Sequence, residues 1–174
     1  MLRALTTIAT ATDRARGNVV WAPVSAPPLA WSSMRQTAWV ALALDLAGLH
    51  HAAGRCLAAY LETMRDPGGG TPGGSLPAAL CANGIAAAPA CVLDVTGAAW
   101  LLAACLRHVE ALEAAASRRA FLDAIAGRVA PCGDFLAAWS DGPGGRPLPD
   151  FSAAHLRDMP SDELTVALYT GLAA

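Results

Sequence analysis

The chain has 174 residues, which is enough for one domain with its own hydrophobic core. Hydrophobic residues make up 55% of it, charged residues make up 15%, and the formal net charge is -2. This balance excludes the basic footprint of a nucleic-acid-binding protein. So high an apolar content indicates that much surface is buried, in part against a partner.

Membrane-spanning segments are not expected. The most apolar stretches, Thr37–Leu49 and Gly97–Leu106, are too short to cross a bilayer, and Asp45 interrupts the first. The start, Met1-Leu2-Arg3, lacks the long apolar core of a signal peptide. We therefore expect a cytoplasmic protein with no membrane partner.

The five cysteines fit a reducing compartment, since they are odd in number and include no C-x-x-C pair. Cys56 and Cys105 fall on apolar helix faces and are predicted to be small core residues. Cys81 and Cys91 flank one loop, and a disulfide between them is the alternative for an oxidising compartment.

Helical spacing dominates the first half of the chain. In order, we predict a short helix, a short extended run and a hairpin of two helices: Leu2–Asp13, Asn18–Pro23, and Met34–Gly48 followed by His50–Arg65. In the first hairpin helix Trp39, Leu42, Leu46 and Leu49 share one side, which predicts its buried face. Gly48 is placed to end that helix.

The second half repeats this arrangement. A long loop rich in Gly and Pro, Asp66–Ala90, leads into a helix predicted over Asp94–Glu113. Ser117 is the predicted N-cap of Arg118–Val129, which closes a second hairpin.

Shorter helices follow, over Asp134–Trp139 and Asp162–Ala173, with the loop Ser140–Asp150 between them. No β pattern occurs beyond Asn18–Trp21. The result is an all-α fold of helical hairpins whose long loops gather on one face, where binding sites usually lie.

The loops and helix starts carry an ordered series of short motifs: Leu2–Leu5, Gly17–Pro23, Ser33–Trp39, Gly74–Leu76 with Asn83-Gly84, Leu93–Gly97, Gly145–Pro149 and Thr165–Leu172. Together they resemble the catalytic domain of glycoside hydrolase family 15, the glucoamylase family. Its motifs W-x-R-D-A-x-[FW], Q-L-D-x-x-G-E and G-L-P-x-P correspond to the third, fifth and sixth segments. Prenyltransferase- or terpene-cyclase-like helical rings carry aspartate-rich or zinc-ligand motifs that this sequence lacks.

The resemblance implies a single domain over residues 1–174 that forms about half of an (α/α)6 toroid, the six-hairpin ring of such glycosidases. Apart from the one or two turns over Asp134–Trp139, six helices are predicted, whereas a complete ring has twelve. Because half a ring leaves helix faces unpaired, we expect a protein partner or self-association that completes it.

The resemblance also implies inverting hydrolysis of α-glucosidic bonds in oligosaccharides, which needs one carboxylic acid and one carboxylate base. His155 aligns with the general acid, with Ala154 and Leu156 beside it, so no carboxylate occupies that position. His155 is either a replacement proton donor or, more simply, an exposed histidine. The base of the family lies in a part of the ring that this chain does not reach.

Sugar-binding residues follow from the same resemblance. Arg35-Gln36 stands where the family has an Arg-Asp pair that binds the terminal sugar. Gln36 therefore lacks the charge of the aspartate but can still form hydrogen bonds. Trp31 lies beside this pair as a candidate stacking platform. Asp94 is either a helix N-cap or a ligand, and an N-cap is the simpler interpretation. Trp39 and Trp100 are predicted core residues.

We expect no metal and no cofactor. The adjacent His50 and His51 face different ways and make a poor metal pair. Three functions remain open: a degenerate glucoamylase-type hydrolase with lost or weak activity, a non-catalytic binding or assembly module, and a hydrolase completed by a second chain.

Overall fold

The structure, a computed structural model, describes residues 31–64, 73–81 and 94–140, together with Arg3, Thr7, Ile8, Thr12 and Gly17. The predicted extended run, the final helix, the second loop and most of the first helix lie outside these residues. Within them, the prediction of a mostly helical chain is confirmed.

Four helices and a small sheet make up the described part of the chain. They are β1 (Trp31–Ser33), α1 (Met34–Leu46), α2 (His50–Leu61), β2 (Ala79–Cys81), α3 (Val95–Ala111) and α4 (Ala115–Ser140). β1 pairs antiparallel with β2, with Trp31 opposite Cys81 and Ser33 opposite Ala79. The prediction of no strand in these segments is wrong, because three residues are too few to show an alternating pattern.

The predicted first hairpin is confirmed as α1 and α2. Gly48 has a φ of 74°. Its N–H donates to the Asp45 carbonyl (2.9 Å), and the Leu49 N–H donates to the Leu44 carbonyl (2.8 Å). These two bonds form a Schellman turn, which glycine favours because its φ is positive. The next helix begins at His50, so the turn joining the two helices is very short.

The predicted buried face of α1 is wrong. Its buried residues are Met34, Thr37, Ala38, Ala41 and Leu44. Leu46 is 92% exposed and Trp39 is 51% exposed. A helix can turn a face of small residues inward when the neighbouring helix must approach closely, and α1 packs most extensively on α3.

α3 is the central helix of the core and packs against α1, α2 and α4. It is buried along most of its length, from Val95 to Cys105 and again at His108, which fits its nearly continuous Ala/Leu sequence. The predicted helix over Asp94–Glu113 is confirmed. Leu57, Tyr60 and Leu61, at helical spacing, pack against the same core from α2.

α4 is one helix, whereas the sequence predicted two. The Arg118 N–H already donates to the Ala114 carbonyl (3.1 Å), so the helix begins before Ser117 and the predicted N-cap is wrong. The helix also continues through Pro131, which lacks the N–H that would bond the Gly127 carbonyl. Packing of Cys132, Phe135 and Leu136 into the core holds the helix across this break.

The loop before β2 packs directly against the backbone of α4, where Gly74 lies beside Pro131. Gly74 has a φ of 77°, and a Cβ placed on it would overlap the Pro131 carbonyl. The Tyr60 hydroxyl donates to the Pro77 carbonyl (3.0 Å) from the other side. The predicted loop Asp66–Ala90 is therefore anchored at this point on two helices.

No helix of the described residues combines the length and apolar character that crossing a bilayer requires.

Gly74→Ala should lower the free energy of unfolding by roughly 2 kcal/mol or more, because it adds both a steric overlap and a strained φ. Urea denaturation measures this change. Gly127→Ala is the control, since nothing lies within 4 Å of its added Cβ, and it should be neutral or stabilising by up to about 1 kcal/mol. Equal effects of the two substitutions would contradict the close approach at Gly74.

Candidate functional site

Two polar sites lie at opposite ends of α1, and each joins α1 to α3. At the first end, Arg35 Nη2 donates to Asp94 Oδ1 at 2.9 Å, with the side chains 19% and 8% exposed. The two residues are 59 positions apart, and each belongs to a motif of the glucoamylase resemblance. The structure thus brings Arg35 and Asp94, two of the predicted site residues, into direct contact.

Asp94 caps α3, as predicted. Its Oδ1 accepts a hydrogen bond from the Gly97 N–H at 2.8 Å, which satisfies one of the free donors at the helix start. A Cβ at position 97 would overlap this carboxylate, so glycine allows the cap to close over the helix end. The same carboxylate therefore holds both the start of α3 and the guanidinium of Arg35.

The strands meet α1 at this same end. The Met34 N–H donates to the Ala78 carbonyl (3.2 Å), which ties the first residue of α1 to the segment before β2. Thr37 donates to the Ser33 carbonyl (2.9 Å), and its hydroxyl also lies 3.1 Å from that of Ser32. The start of α1, the segment from Gly74 to β2 and the start of α3 thus converge, and these are three of the motif segments.

Gln36 lies next to Arg35, and its Oε1 is buried with no hydrogen-bond partner among the described residues. Trp31 begins β1, and the structure describes its backbone alone. His155, with Ala154 and Leu156, lies outside the described residues. The predicted acid position is therefore not placed relative to Arg35.

The predicted tryptophan core is only half right. Trp39 is 51% exposed, whereas Trp100 is partly buried against the core. Their rings lie 4.9 Å apart at an angle of 42°. The prediction that Trp39 is a core residue is wrong, because its ring packs on Trp100 at the edge of the contact between α1 and α3 and stays half exposed.

The second site, at the other end of α1, joins Asp45, His50 and His108. His108 Nδ1 lies 2.9 Å from Asp45 Oδ1 and 3.0 Å from Oδ2, and His50 Nδ1 lies 2.9 Å from the same Oδ1. Each imidazole N–H can donate to the carboxylate at these distances. The side chains of His108 and Asp45 are 2% and 7% exposed, and that of His50 is 35% exposed.

Local structure explains why these groups meet. The Schellman turn brings His50 back toward Asp45, five residues earlier, while His108 occupies the last turn of α3. Phe121 of α4 contacts the His108 ring edge-on, with ring centroids 4.4 Å apart. His51, the next residue, is exposed and is not one of the three groups of the cluster.

A cavity of about 750 Å³ opens beside this cluster. Its lining includes His50, His108, Arg55, Glu113 and Phe121. The cavity gives a small molecule or water access to the edge of the histidine cluster.

Sequence reasoning missed this second site. Asp45 is a charge within an apolar stretch, and a buried carboxylate in such a stretch needs a partner. That signal predicts a partner without saying which residue it is. His108 is 63 positions away, and no short motif connects the two.

The thiols of the described core are not available as nucleophiles. Cys56, Cys105 and Cys132 are free and buried, which confirms the predicted core role of the first two. Burial raises the pKa of Cys56 to about 11 and that of Cys132 to about 12, and it also raises the pKa of Cys105. The side chains of Cys81 and Cys91, the predicted alternative disulfide, lie outside the described residues.

No protein-family model, no curated protein and no solved structure matches the chain.

Asp94→Ala should lower the free energy of unfolding by about 2–3 kcal/mol, because it removes the cap of α3 and one ion-pair partner of Arg35. Asp94→Asn should cost about 1 kcal/mol less, since an amide oxygen still accepts from the Gly97 N–H. Chemical denaturation of both variants measures the difference.

The matched control is Asp123→Asn, which breaks an exposed pair with Arg119 on α4. Such pairs contribute little, so a change within about 0.5 kcal/mol is expected. A cost for Asp94→Ala no larger than this control would contradict the role of Asp94 in holding α1 to α3.

Proposed function

We propose that the chain is a glucoamylase-type helical domain that binds an α-glucoside and has lost most or all hydrolytic activity. The Arg35–Asp94 ion pair carries this proposal, because it joins two motif segments that are distant in sequence. A binding site assembled from separate loops needs such long-range contacts between their residues.

Arg35 is suited to bind sugar hydroxyls. A guanidinium has five N–H donors in one plane, so several acceptors can share it, and Asp94 Oδ1 takes the donor on Nη2. The ion pair fixes its orientation, which reduces the entropy lost on binding. Gln36, beside Arg35, keeps an amide where the family has a carboxylate, and its Oε1 is buried with no hydrogen-bond partner among the described residues.

We propose a loss of hydrolysis because the carboxylates that the reaction needs are replaced. An inverting mechanism uses two, roughly 6.5–9.5 Å apart, one of them protonated. His155 stands at the acid position of the family, and Gln36 replaces the acidic partner of the arginine. The Asp94 carboxylate accepts hydrogen bonds from both Arg35 and the Gly97 amide, so it is engaged in holding the starts of α1 and α3 together.

We further propose that α1 to α4 are two neighbouring hairpins of an (α/α)6 toroid. Arg35 contacts Asp94 at the start of α3 and Asp45 contacts His108 near its end, so α1 and α3 run parallel. Each is followed by a helix joined through a short turn. Parallel helices that alternate with returning ones are the repeat of such a ring. A cytoplasmic location is part of the same proposal, and the free thiols of the core support it.

Binding of maltose and trehalose to the purified chain tests this function. We expect Arg35→Ala to weaken the affinity for the bound sugar at least tenfold in calorimetry, because the main donor is removed. Arg107→Ala is the matched control, since Arg107 pairs with Glu110 on the surface of α3 and should leave the affinity unchanged.

Glucose release measured in the same samples should stay at background. Failure of both sugars to bind the unaltered chain would contradict the proposal. Robust glucose release that His155→Ala abolishes would refute the loss of catalysis.

A second candidate function, assembly through self-association, is favoured by the outer side of α1. Leu46 is 92% exposed, Trp39 is 51% exposed and Leu49, in the turn, is 45% exposed. Large apolar side chains grouped in this way are typical of contact surfaces. A second copy of the chain that covers this side would complete more of the ring.

Sedimentation velocity tests the assembly. The unaltered chain should form a dimer or larger species, and Leu46→Glu should convert it to a monomer because a charge would be buried in the interface. Leu122→Glu, at a 44% exposed leucine of α4, should leave the assembly intact. A monomer at all accessible concentrations of the unaltered chain would contradict self-association.

A further inference from the structure

The donor atoms of Asp45, His50 and His108 all lie within 4.8 Å of one another. The contacts from Asp45 Oδ1 to the two Nδ1 atoms are both 2.9 Å. In a tetrahedral zinc site with bonds of about 2.0–2.1 Å, neighbouring donor atoms are about 3.3 Å apart. To surround an ion, the two contacts between oxygen and nitrogen would lengthen by about 0.4 Å. The two nitrogens, which lie at most 4.8 Å apart, would approach each other by about 1.5 Å or less.

The donor set has a clear chemical preference. Two imidazole nitrogens and one carboxylate oxygen suit zinc and similar transition metals better than calcium or magnesium, which prefer oxygen ligands. Three protein ligands leave a fourth position for water or another ligand. The cavity beside His50 and His108 provides the space for it.

The surrounding structure holds the donors before an ion arrives. Asp45 lies near the end of α1, His50 begins α2 and His108 lies near the end of α3, so three separate elements fix the geometry. Phe121 packs on the His108 ring. Gly54 leaves room for that ring, since a Cβ there would lie 2.8 Å from His108 Nε2.

We propose that Asp45, His50 and His108 bind one divalent transition-metal ion of the zinc type, with an open coordination position toward the cavity. This site is separate from the proposed sugar site, because Asp45 and Arg35 are ten residues apart on α1, or about 15 Å along its axis. Sugar binding and metal binding can therefore succeed or fail independently.

Zinc binding by the full chain, measured in competition with a chromophoric chelator, tests the proposal. We expect one zinc ion per chain and a loss of affinity of at least tenfold in His50→Gln. His50 is chosen because its side chain is 35% exposed and its replacement disturbs the core least. The matched control is His51→Gln, which removes a neighbouring exposed histidine that also lines the cavity and should leave the affinity unchanged.

Further measurements make the result specific. Gly54→Ala should weaken zinc binding several-fold, because the added Cβ displaces the His108 ring. Cobalt substituted for zinc should give the visible spectrum of a nitrogen- and oxygen-ligated four-coordinate ion. Arg35→Ala should leave zinc binding intact. Equal melting temperatures of the variants in chelator show that each is folded.

Equal zinc affinities of His50→Gln and His51→Gln would overturn the proposal. A thiolate charge-transfer band in the cobalt spectrum would do the same, since it would assign the ion to cysteine. Absence of zinc binding in the unaltered chain would leave the three residues as a hydrogen-bonded structural cluster and would also refute the site.

Discussion

Two polar contacts fix α1 to α3, and the described structure is organised around them. Arg35 pairs with Asp94 where both helices begin, and Asp45 contacts His108 where both approach their ends. Between these contacts, small residues such as Ala38 and Ala99 are fully or almost fully buried. Buried polar groups are costly unless they are paired, so each contact favours one axial register of the two helices and disfavours the others. A core of alanine side chains alone would specify that register much less strongly.

The two polar contacts between α1 and α3 also determine where the two candidate sites lie. The strands and loop segments that carry the glucoamylase-like motifs join α1 at its first end, beside Arg35 and the cap of α3. The histidine cluster and its cavity lie at the other end. Helix ends are suitable positions for such sites because their backbone groups and short turns bring polar residues from several elements together. In the functions that we propose, the pair of helices is the scaffold, one end of it binds sugar and the other end binds metal.

Much of this fold could be predicted from the sequence wherever the signal is local. Helical spacing and Gly48 locate α1 and α2, and Asp94 marks the start of α3. Features that depend on distant residues could not be predicted. α4 continues through Pro131 because its later residues pack in the core, and α1 turns its alanine side inward because α3 approaches it. The pairing of Asp45 with His108 joins residues 63 positions apart, so no spacing rule reveals it.

The most direct test of the account is one chemical-shift map of the isotope-labelled chain, recorded first with maltose and then with zinc. We predict that maltose shifts the amides around Arg35 and Asp94 and leaves those around His50 and His108 in place. Zinc should do the reverse, with the His50 and His108 ring nitrogens shifting most. Perturbation of the same end of α1 by both ligands, or of neither end, would contradict the assignment of separate binding functions to the two ends of this helix.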